Sequence, residues 1–368
     1  MTLTMTILDK GKQVDAIILD FAKAFDTMPH KRLCQRLDHY GIRSSTLGWI
    51  SKWLTQRTQC VVVDGESSRD VSVTSGVPQG TVLGPLMFLL YINIAESTTS
   101  SIKLFADDAI LFRAIDTHRD TLSLQQDLDK MINWSERWQM RFNAKKCHIL
   151  RICKKKSKIT RDYKIKDTIL EPVEHHPYLG IEIQSDLKWN HHIHNTVRRA
   201  NQTLGFIRRN CGNCESEVKE AAYKILVRPK LEYACAVWDP YQQNAINDIE
   251  KVQRRAARFV TGNYERTSSV SQMISTLKWQ NLQLRRSIIR LCILYKAINN
   301  STAILFPPPE IQKNTRIGRL GQITCVTHCL HAVRMLISGA SYQELSNNGT
   351  ACHNLQCPNQ LLTLSGQQ

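Results

Sequence analysis

The sequence predicts an α+β domain followed by a helical domain rich in arginine. Up to about residue 186, apolar runs of strand length alternate with segments of helical periodicity. One apolar run is interrupted by two adjacent aspartates, as in a hairpin that presents acids at its turn. Beyond residue 186, apolar residues recur at helical spacing among arginines. We therefore expect domains at residues 1–186 and 187–304, and a disordered or divergent tail at residues 305–368, which lack periodicity.

The first predicted strand is the apolar, β-branched run at residues 14–20, which ends at Asp20. Pro29 then opens a helix, because its fixed φ suits the first helical position. Asp26 stands just before that helix and is interpreted as its N-terminal cap. Further elements are helices around residues 29–39, 45–54, 83–92 and 118–140, and strands around residues 59–63, 71–74, 149–152, 163–165 and 178–183. Apolar residues on one face of the helix at residues 118–140 predict that it packs onto the sheet.

Two adjacent carboxylates, Asp107 and Asp108, interrupt an apolar run over residues 104–112. Neighbouring carboxylates repel each other unless cations neutralise them, and Mg²⁺ takes such oxygen ligands. Together with Asp20 at the end of a core strand, the pair suits a two-metal site for phosphoryl transfer. A polar surface turn is the simpler interpretation of the dipeptide alone, but its apolar flanks argue against that interpretation.

A glycine-containing turn at residues 74–85 lies between the acid strand and the acid hairpin. Gly76 and Gly80 flank Pro78 and Gln79, so the backbone can approach a ligand closely there.

Seven segments follow one another along the chain: LDFAKAFDTMPHKRL, VTSGVPQGTVLGPLMFLLYIN, KLFADDAILF, WQMRFNAKKCHI, YLGIEI, LVRPKLEYACAVWDPY and VQRRAARFVTG. In these segments and their order the chain resembles the reverse transcriptases of LINE-type (non-LTR) retrotransposons, over roughly residues 9–300. The resemblance implies a polymerase-type palm, in which helices pack on an antiparallel sheet, followed by an all-helical thumb-like domain. It also implies a fingers region upstream of the palm, most of which this chain would lack.

The resemblance implies catalytic roles for Asp20, Asp107, Asp108 and Lys146. The three aspartates would bind two Mg²⁺ ions, or Mn²⁺ in their place, with Asp20 and Asp107 bridging the ions and Asp108 supporting them. Lys146 would lie near the leaving pyrophosphate, where an ammonium group can neutralise or protonate a phosphate oxygen. On its own chemistry, Lys146 would instead be interpreted as a solvated charge beside Lys145.

The resemblance further implies a nucleotide pocket formed by Phe21, Phe25, Gln79 and Gly80. Phe25 would exclude a ribose 2′-hydroxyl by shape, because its ring is rigid; an ordinary core aromatic is the alternative. Gln79 is interpreted as an amide donor to the bound deoxynucleotide triphosphate or, alternatively, as a turn residue.

Two regions are expected to hold nucleic acid. The resemblance implies a primer grip at Tyr178, Leu179 and Gly180. Two amphipathic stripes after residue 186 carry arginines expected to contact phosphates: Arg198, Arg199, Arg208, Arg209, Arg254, Arg255 and Arg258. A third stripe carries Arg285, Arg286 and Arg290. Helices whose basic faces are merely solvated are the alternative.

The cysteine and histidine clusters outside the acid site carry no metal prediction. Cys211 and Cys214 have zinc-ribbon spacing, but no second pair follows at a usual distance, so we expect a turn between helices. The cysteines and histidines of the tail match no common zinc finger. Three histidines open a basic helix and are expected to face solvent or phosphate: His191, His192 and His194.

The composition favours a nucleic-acid partner. The 368 residues include 49 Lys and Arg against 32 Asp and Glu, a formal net charge of +17, and phosphates attract such a chain whatever their sequence. No apolar run approaches the roughly 18 residues of a membrane span. Twelve cysteines without a secretory signal predict reduced thiols in a nuclear or cytoplasmic protein that is not secreted.

The resemblance implies an RNA-directed DNA polymerase that uses an RNA template, a DNA primer and deoxynucleotide triphosphates. The alternative is a catalytically inactive retrotransposon remnant that retains only nucleic-acid binding. Intact acids favour the polymerase, whereas missing fingers favour the remnant. Because the fingers would hold the triphosphate, we expect weak or no processive synthesis from this chain alone.

Overall fold

The computed structural model describes residues 12–92, 98–153 and 157–298. The chain divides into two compact units between Trp189 and Asn190. The predicted tail, residues 305–368, lies outside the described residues. The assignment of residues 187–304 to a thumb-like domain stays a prediction.

The first unit combines one larger sheet with short hairpins and helices. Its strands are β1 (Gln13–Asp20), β2 (Thr58–Gln59), β3 (Val62–Val63), β4 (Glu66–Ser67), β5 (Val71–Ser72), β6 (Ser101–Phe105), β7 (Asp108–Ile115), β8 (His148–Ile152), β9 (Lys164–Ile165), β10 (Thr168–Ile169), β11 (Glu171–Val173), β12 (His175–Tyr178) and β13 (Ile181–Gln184). Its α-helices are α1 (Ala24–Thr27), α2 (His30–His39), α3 (Ser44–Thr55), α4 (Leu83–Tyr91) and α5 (His118–Arg137), and a 3₁₀ turn spans Ala144–Lys146.

Five strands form the larger sheet, in the order β11-β8-β1-β7-β6. The central strand β1 pairs antiparallel with both β7 and β8, and β6 pairs antiparallel with β7, while β11 runs parallel to β8. The predicted α+β class with an antiparallel sheet is therefore confirmed. β1 is buried along nearly its whole length, which explains why its sequence reads as an almost continuous apolar run.

The two faces of β1 serve two apolar clusters, because side chains alternate between the faces of a strand. Ile17 and Leu19 belong to the larger cluster, to which helices α2, α3, α4 and α5 contribute. Leu124, Leu128 and Met131 of α5 are buried in that cluster, so the predicted packing of this helix on the sheet is confirmed.

The opposite face of β1 carries a smaller cluster: Val14, Ala16, Ile18, Phe112, Leu150 and Ile152. Ile183 of β13 and Leu187 pack against it, so the β12–β13 hairpin covers this face. By the alternation of the strand, Asp20 lies on the same face as Ile18.

The strand expected at residues 178–183 is instead a hairpin. β12 ends at Tyr178 and β13 begins at Ile181, which leaves Leu179 and Gly180 as the turn. Both turn residues have positive φ, 49° and 77°, which suits a two-residue turn between antiparallel strands.

The capping role predicted for Asp26 is wrong. Asp26 lies inside the one-turn helix α1, so it does not precede a helix as the prediction required. Pro29 precedes α2, which has no side-chain cap. The Asp26 carboxylate instead accepts a hydrogen bond from Gln79.

The second unit is built from helices over the residues that the structure describes. Its elements are α6 (Asn190–Asn210), α7 (Ser216–Ala222), a π-helical turn (Tyr223–Val227), α8 (Arg228–Glu232), α9 (Cys235–Trp238), α10 (Gln243–Thr261), α11 (Val270–Thr276) and α12 (Leu282–Ile298). Apolar residues at helical spacing are buried as predicted: Ile193, Ala200, Leu204 and Ile207 on α6, and Ile246, Ile249, Val252, Ala256 and Phe259 on α10. Among the described helices, none is long and apolar enough to cross a membrane.

The expectation that the histidines opening α6 face solvent or phosphate is wrong for His192. Its side chain is buried, and its ring meets the Trp238 ring edge-on at a centroid distance of 5.1 Å. The predicted turn at Cys211 and Cys214 is confirmed, since the backbone N–H of Cys214 donates to the Cys211 carbonyl.

The arginines of α12 form ion pairs within the unit instead of a free basic stripe. Arg286 is fully buried and donates to Asp239 over 2.6 Å, and Arg290 reaches the same carboxylate at 3.2 Å. Arg285 pairs with Glu232. Periodicity placed these residues on a helix but could not reveal acids on neighbouring helices.

In the first unit, Asp127 on α5 anchors the chain just before β6. Its buried carboxylate accepts hydrogen bonds from the backbone N–H groups of Thr99 and Ser100, at 3.1 and 2.7 Å, and from the Lys130 ammonium at 2.9 Å. Burial alone would raise the pKa of Asp127, but the hydrogen bonds from Lys130, Ser100 and Thr99 outweigh burial and lower that pKa.

We predict that Asp127→Asn lowers the free energy of unfolding by about 2–3 kcal/mol at pH 7, because an amide cannot replace a charged acceptor of several hydrogen bonds. A carboxylate whose folded pKa is lowered contributes stability that is full above its unfolded pKa, about 3.9, and is lost as the pH falls through its folded pKa. The gap between wild type and variant, measured by urea unfolding, should therefore shrink below about pH 4. Asp129→Asn on the exposed side of α5 is the matched control, and a gap independent of pH would contradict the assignment.

Candidate active site

The end of the two central strands brings the predicted acids together. Asp20 is the last residue of β1 and Asp108 the first of β7, and their Cα atoms are partners in the antiparallel register. Side chains of such partners lie on one face with Cβ atoms roughly 5 Å apart. Asp107 stands beside them in the tight turn from β6 to β7, where Ala106 takes a positive φ of 52°.

Asp108 lies in an environment that disfavours its charged form. Burial, and then the charges of Asp107 and Asp20, raises the pKa of Asp108. One oxygen of Asp20, Oδ1, is buried and accepts no hydrogen bond from any described residue. Three carboxylates, one with an unsatisfied buried oxygen, form a set of hard oxygen ligands of the kind that divalent cations take. The residues therefore fit the predicted metal site.

Lys146 lies beside this acid cluster. Its Nζ is 3.8 Å from Asp20 Oδ1, although the lysine side chain is 66% exposed. The backbone brings it there, because Asn143 N–H donates to the Asp20 carbonyl over 2.8 Å. The buried thiol of Cys147 also lies 3.4 Å from the backbone nitrogen of Asp20. The segment that carries Lys146 is thus fastened to the end of β1.

The two aromatic residues predicted for the nucleotide pocket differ in how far they are exposed. Phe21 is 4% exposed and stacks on Phe142 at a centroid distance of 4.5 Å, so its side chain belongs to the core. The assignment of Phe21 to the nucleotide pocket stays a prediction. Phe25 is half-buried and stacks on Phe88 at 4.4 Å, which leaves part of its ring accessible.

The glycine turn is fastened to the chain segment that follows β1. The backbone nitrogen of Val77 donates to the Phe25 carbonyl and that of Gly76 to the Met28 carbonyl, both over 2.8 Å. His30 Nε2 lies 2.7 Å from the Gly76 carbonyl oxygen. Gly76 has a φ of +81°, and a Cβ at this position would lie 2.5 Å from the Phe25 oxygen. Close approach and positive φ together require glycine here.

This fastening brings the remaining predicted pocket residues near Phe25. Gln79 and Gly80 are both exposed, at the outer end of the turn. Gln79 Nε2 donates to Asp26 Oδ1 over 3.0 Å. Sequence reasoning missed this role of Asp26, because its partner is 53 positions away and no periodic signal links the two.

The predicted primer grip lies at the tip of the β12–β13 hairpin, within the first unit. Burial, and then the charge of Asp108, raises the pKa of Tyr178. The phenol therefore lies within electrostatic range of the acid cluster. His176, Tyr178 and Ile183 line an apolar cavity against the β1 face that carries Ile18. The hairpin turn of Leu179 and Gly180 follows directly.

The predicted phosphate-binding arginines of the second unit lie on α6 and α10, and most are exposed: Arg198, Arg199, Arg208, Arg209, Arg254 and Arg255. Arg198, Arg209 and Arg255 line one open groove, where Arg255 donates to Asn201 over 2.9 Å.

The other arginines of this set have different surroundings. Arg208 lies over the Tyr264 ring at 5.6 Å, and the half-buried Arg258 donates to the Glu265 carbonyl over 2.9 Å. Arg199 and Arg254 are exposed outside the lining of the groove.

Comparison with known proteins gives a family match over the first unit. The family described as "Reverse transcriptase (RNA-dependent DNA polymerase)" matches residues 3–183. The chain is 26% identical over 270 residues to a probable RNA-directed DNA polymerase from transposon BS of Drosophila melanogaster, covering 69% of this chain and 29% of that protein. It is 26% identical over 276 residues to the RNA-directed DNA polymerase from mobile element jockey of Drosophila melanogaster, covering 71% of this chain and 30% of that protein. The chain thus spans about three-tenths of the length of these relatives.

Solved structures of telomerases also resemble the chain. The apo telomerase from Candida tropicalis is 12% identical, with a TM-score of 0.40 over 84% of this chain and 55% of that one. A telomerase from Candida albicans, in complex with a TWJ fragment of telomeric RNA, is 11% identical, with a TM-score of 0.38 over 81% and 48% of the two chains.

Gly76 and Gly80 offer a matched pair of substitutions, because their φ angles are +81° and +80° but their surroundings differ. We predict that Gly80→Ala costs about 1–2 kcal/mol from left-handed strain alone, since nothing lies within 4 Å of the added Cβ. Gly76→Ala should cost at least about 1 kcal/mol more, because its Cβ would collide with the Phe25 carbonyl. Urea unfolding measures both, and equal losses would show that the turn is not fastened to the segment after β1.

Proposed function

The chain belongs to the reverse transcriptase (RNA-dependent DNA polymerase) family through residues 3–183, and on that premise we propose that it is the polymerase part of a non-LTR retrotransposon protein. In this proposal it extends a DNA primer by copying an RNA template, with deoxynucleotide triphosphates as substrates. The observation that carries the proposal is the register of β1 with β7, which sets Asp20 against Asp108 beside Asp107.

Asp20, Asp107 and Asp108 would hold the metal, proposed to be two Mg²⁺ ions, with Mn²⁺ as a substitute. When bound, the ions supply stabilisation of the charge on the attacking and leaving oxygens of the phosphoryl transfer. The raised pKa of Asp108 and the unsatisfied oxygen of Asp20 support this assignment, because cations would relieve both.

Lys146 would serve the leaving group. An ammonium group at the edge of the acid cluster can hold a pyrophosphate oxygen and donate a proton to it. Its 3.8 Å distance from Asp20 supports this role, and its exposure leaves it free to turn toward a ligand.

Phe25 would select deoxynucleotides by shape. Its stacking on Phe88, at a centroid distance of 4.4 Å, would restrain the ring against moving aside for a 2′-hydroxyl. A phenylalanine also offers no hydrogen bond to such a hydroxyl. Gln79 and Gly80, fastened nearby through the glycine turn, would line the rest of this pocket.

Nucleic acid would be held in two places. The turn at Tyr178, Leu179 and Gly180 would contact the primer end. The groove lined by Arg198, Arg209 and Arg255 would contact phosphates, since the guanidinium group binds phosphate through two parallel hydrogen bonds. A nuclear or cytoplasmic location belongs to the same proposal.

Primer extension on an RNA template tests the proposal. We predict slow, metal-dependent addition of one or a few deoxynucleotides by the wild-type chain. Asp108→Asn should reduce the rate by roughly a hundredfold or more, because one of the groups that would hold the ions is lost. The product is measured as a primer lengthened by single nucleotides.

Asp116→Asn is the matched control, because Asp116 follows the opposite end of β7 and makes an exposed ion pair with Lys12. This variant should extend the primer like the wild type. If the wild type binds nucleic acid but adds no nucleotide to the primer, the result favours the inactive alternative. If Asp108→Asn adds nucleotides as fast as the wild type, the assigned site is refuted.

A further inference from the structure

We propose that Asp26 is a positioning residue for the incoming nucleotide, acting through Gln79. The Asp26 carboxylate would hold the Gln79 amide in one orientation, with its N–H₂ group toward Asp26. Its carbonyl oxygen would then accept a hydrogen bond from the nucleotide, in place of the donor role expected from the sequence for this amide. The inference rests on the proposed function, because it assumes that Gln79 lines a deoxynucleotide pocket.

Asp26 lies in the same helical turn as Phe25. Helix α1 begins after Lys23, whose left-handed φ of 50° bends the chain sharply after β1. Phe25 and Asp26 thus lie in the helical turn that follows β1, a few positions after Asp20. A group on Asp26 is fixed relative to the acid cluster by this short, ordered connection.

The backbone of the glycine turn is already fastened to this helical turn without the side chain of Gln79. Ser75 Oγ donates to the Asp26 carbonyl over 2.7 Å, and the Val77 nitrogen donates to the Phe25 carbonyl over 2.8 Å. The hydrogen bond from Gln79 Nε2 to Asp26 Oδ1, at 3.0 Å, is therefore not needed to hold the loop. It restrains the long, exposed Gln79 side chain, which would otherwise sample several rotamers and both amide orientations.

The chemistry of the pair decides which group of Gln79 is left for a ligand. An ionised carboxylate only accepts hydrogen bonds, so only the N–H₂ side of the amide can face Asp26. An asparagine at position 26 could donate as well as accept, and the Gln79 amide could then turn over. Asp26→Asn removes the orientation while preserving the size of the side chain.

If Asp26 only stabilised the fold, its loss would change the melting temperature and not the affinity for nucleotide. Both side chains are exposed, and an exposed hydrogen bond between side chains contributes little to stability. Loss of Asp26 should therefore leave the melting temperature nearly unchanged. A positioning role appears instead in the affinity for nucleotide and in its coupling to Gln79.

The test measures nucleotide affinity of the full chain on an RNA template annealed to a primer that ends in a dideoxynucleotide, so that no synthesis occurs. The complementary deoxynucleotide triphosphate is titrated in Mg²⁺, and binding is followed by a fluorescent base in the template. We predict that Asp26→Asn and Gln79→Ala each raise the Kd about tenfold. The double variant should match Gln79→Ala alone, because Asp26 acts through Gln79. Asp64→Asn, in an exposed turn, is the matched control and should bind like the wild type.

Two results would overturn the inference while leaving the proposed function in place. One is an unchanged Kd in Asp26→Asn beside a raised Kd in Gln79→Ala. The other is a double variant whose loss is the product of the two single losses, which would mean that the residues act independently. If the wild type shows no template-dependent nucleotide binding, the proposed function fails and this inference fails with it.

Discussion

The antiparallel pairing of β1 with β7 determines where the acids of this protein stand. Because Asp20 is the partner of Asp108, both side chains lie on one face of the sheet. A shift of the pairing by one residue would carry one of them to the opposite face, among the helices. Apolar residues on both faces of β1 resist such a shift, since it would remove Ile17 or Ile18 from its cluster. The site therefore depends on the core more than on its own polar contacts.

The arrangement that the core imposes is unfavourable for the acids themselves. Burial and neighbouring charge raise the pKa of Asp108, and Asp20 keeps a buried oxygen without a hydrogen bond from the described residues. The backbone adds strain nearby, because Ala106 and Leu179 take positive φ in the two adjacent hairpin turns. A carboxyl group with a perturbed pKa and strained turns beside it are typical of functional sites.

The sequence was most informative where a structure is set by local pattern. Side-chain burial repeats with the period of the backbone, so some elements can be predicted from local pattern. Examples are the apolar run that ends at Asp20, the interrupted run around Asp107 and the apolar face of α5. Contacts between distant positions leave no such pattern. The local sequence therefore predicts a helix cap at Asp26, although its carboxylate binds Gln79. It likewise predicts a basic face that includes Arg286, although this side chain is buried in an ion pair with Asp239. The catalytic role of Lys146 follows only from the family resemblance, because its own chemistry indicates only a solvated charge.

The dependence of stability on metal measures most directly whether the three acids form a cation site. The melting temperature of the chain is recorded without and with Mg²⁺ or Mn²⁺, for the wild type, Asp107→Asn and the control Asp116→Asn. We expect cations to raise the melting temperature of the wild type and of the control, because they bind the folded acids. In Asp107→Asn the stability without metal should hold or rise slightly, since repulsion is relieved, and the gain from metal should shrink sharply. An equal gain from metal in all three proteins would contradict the account.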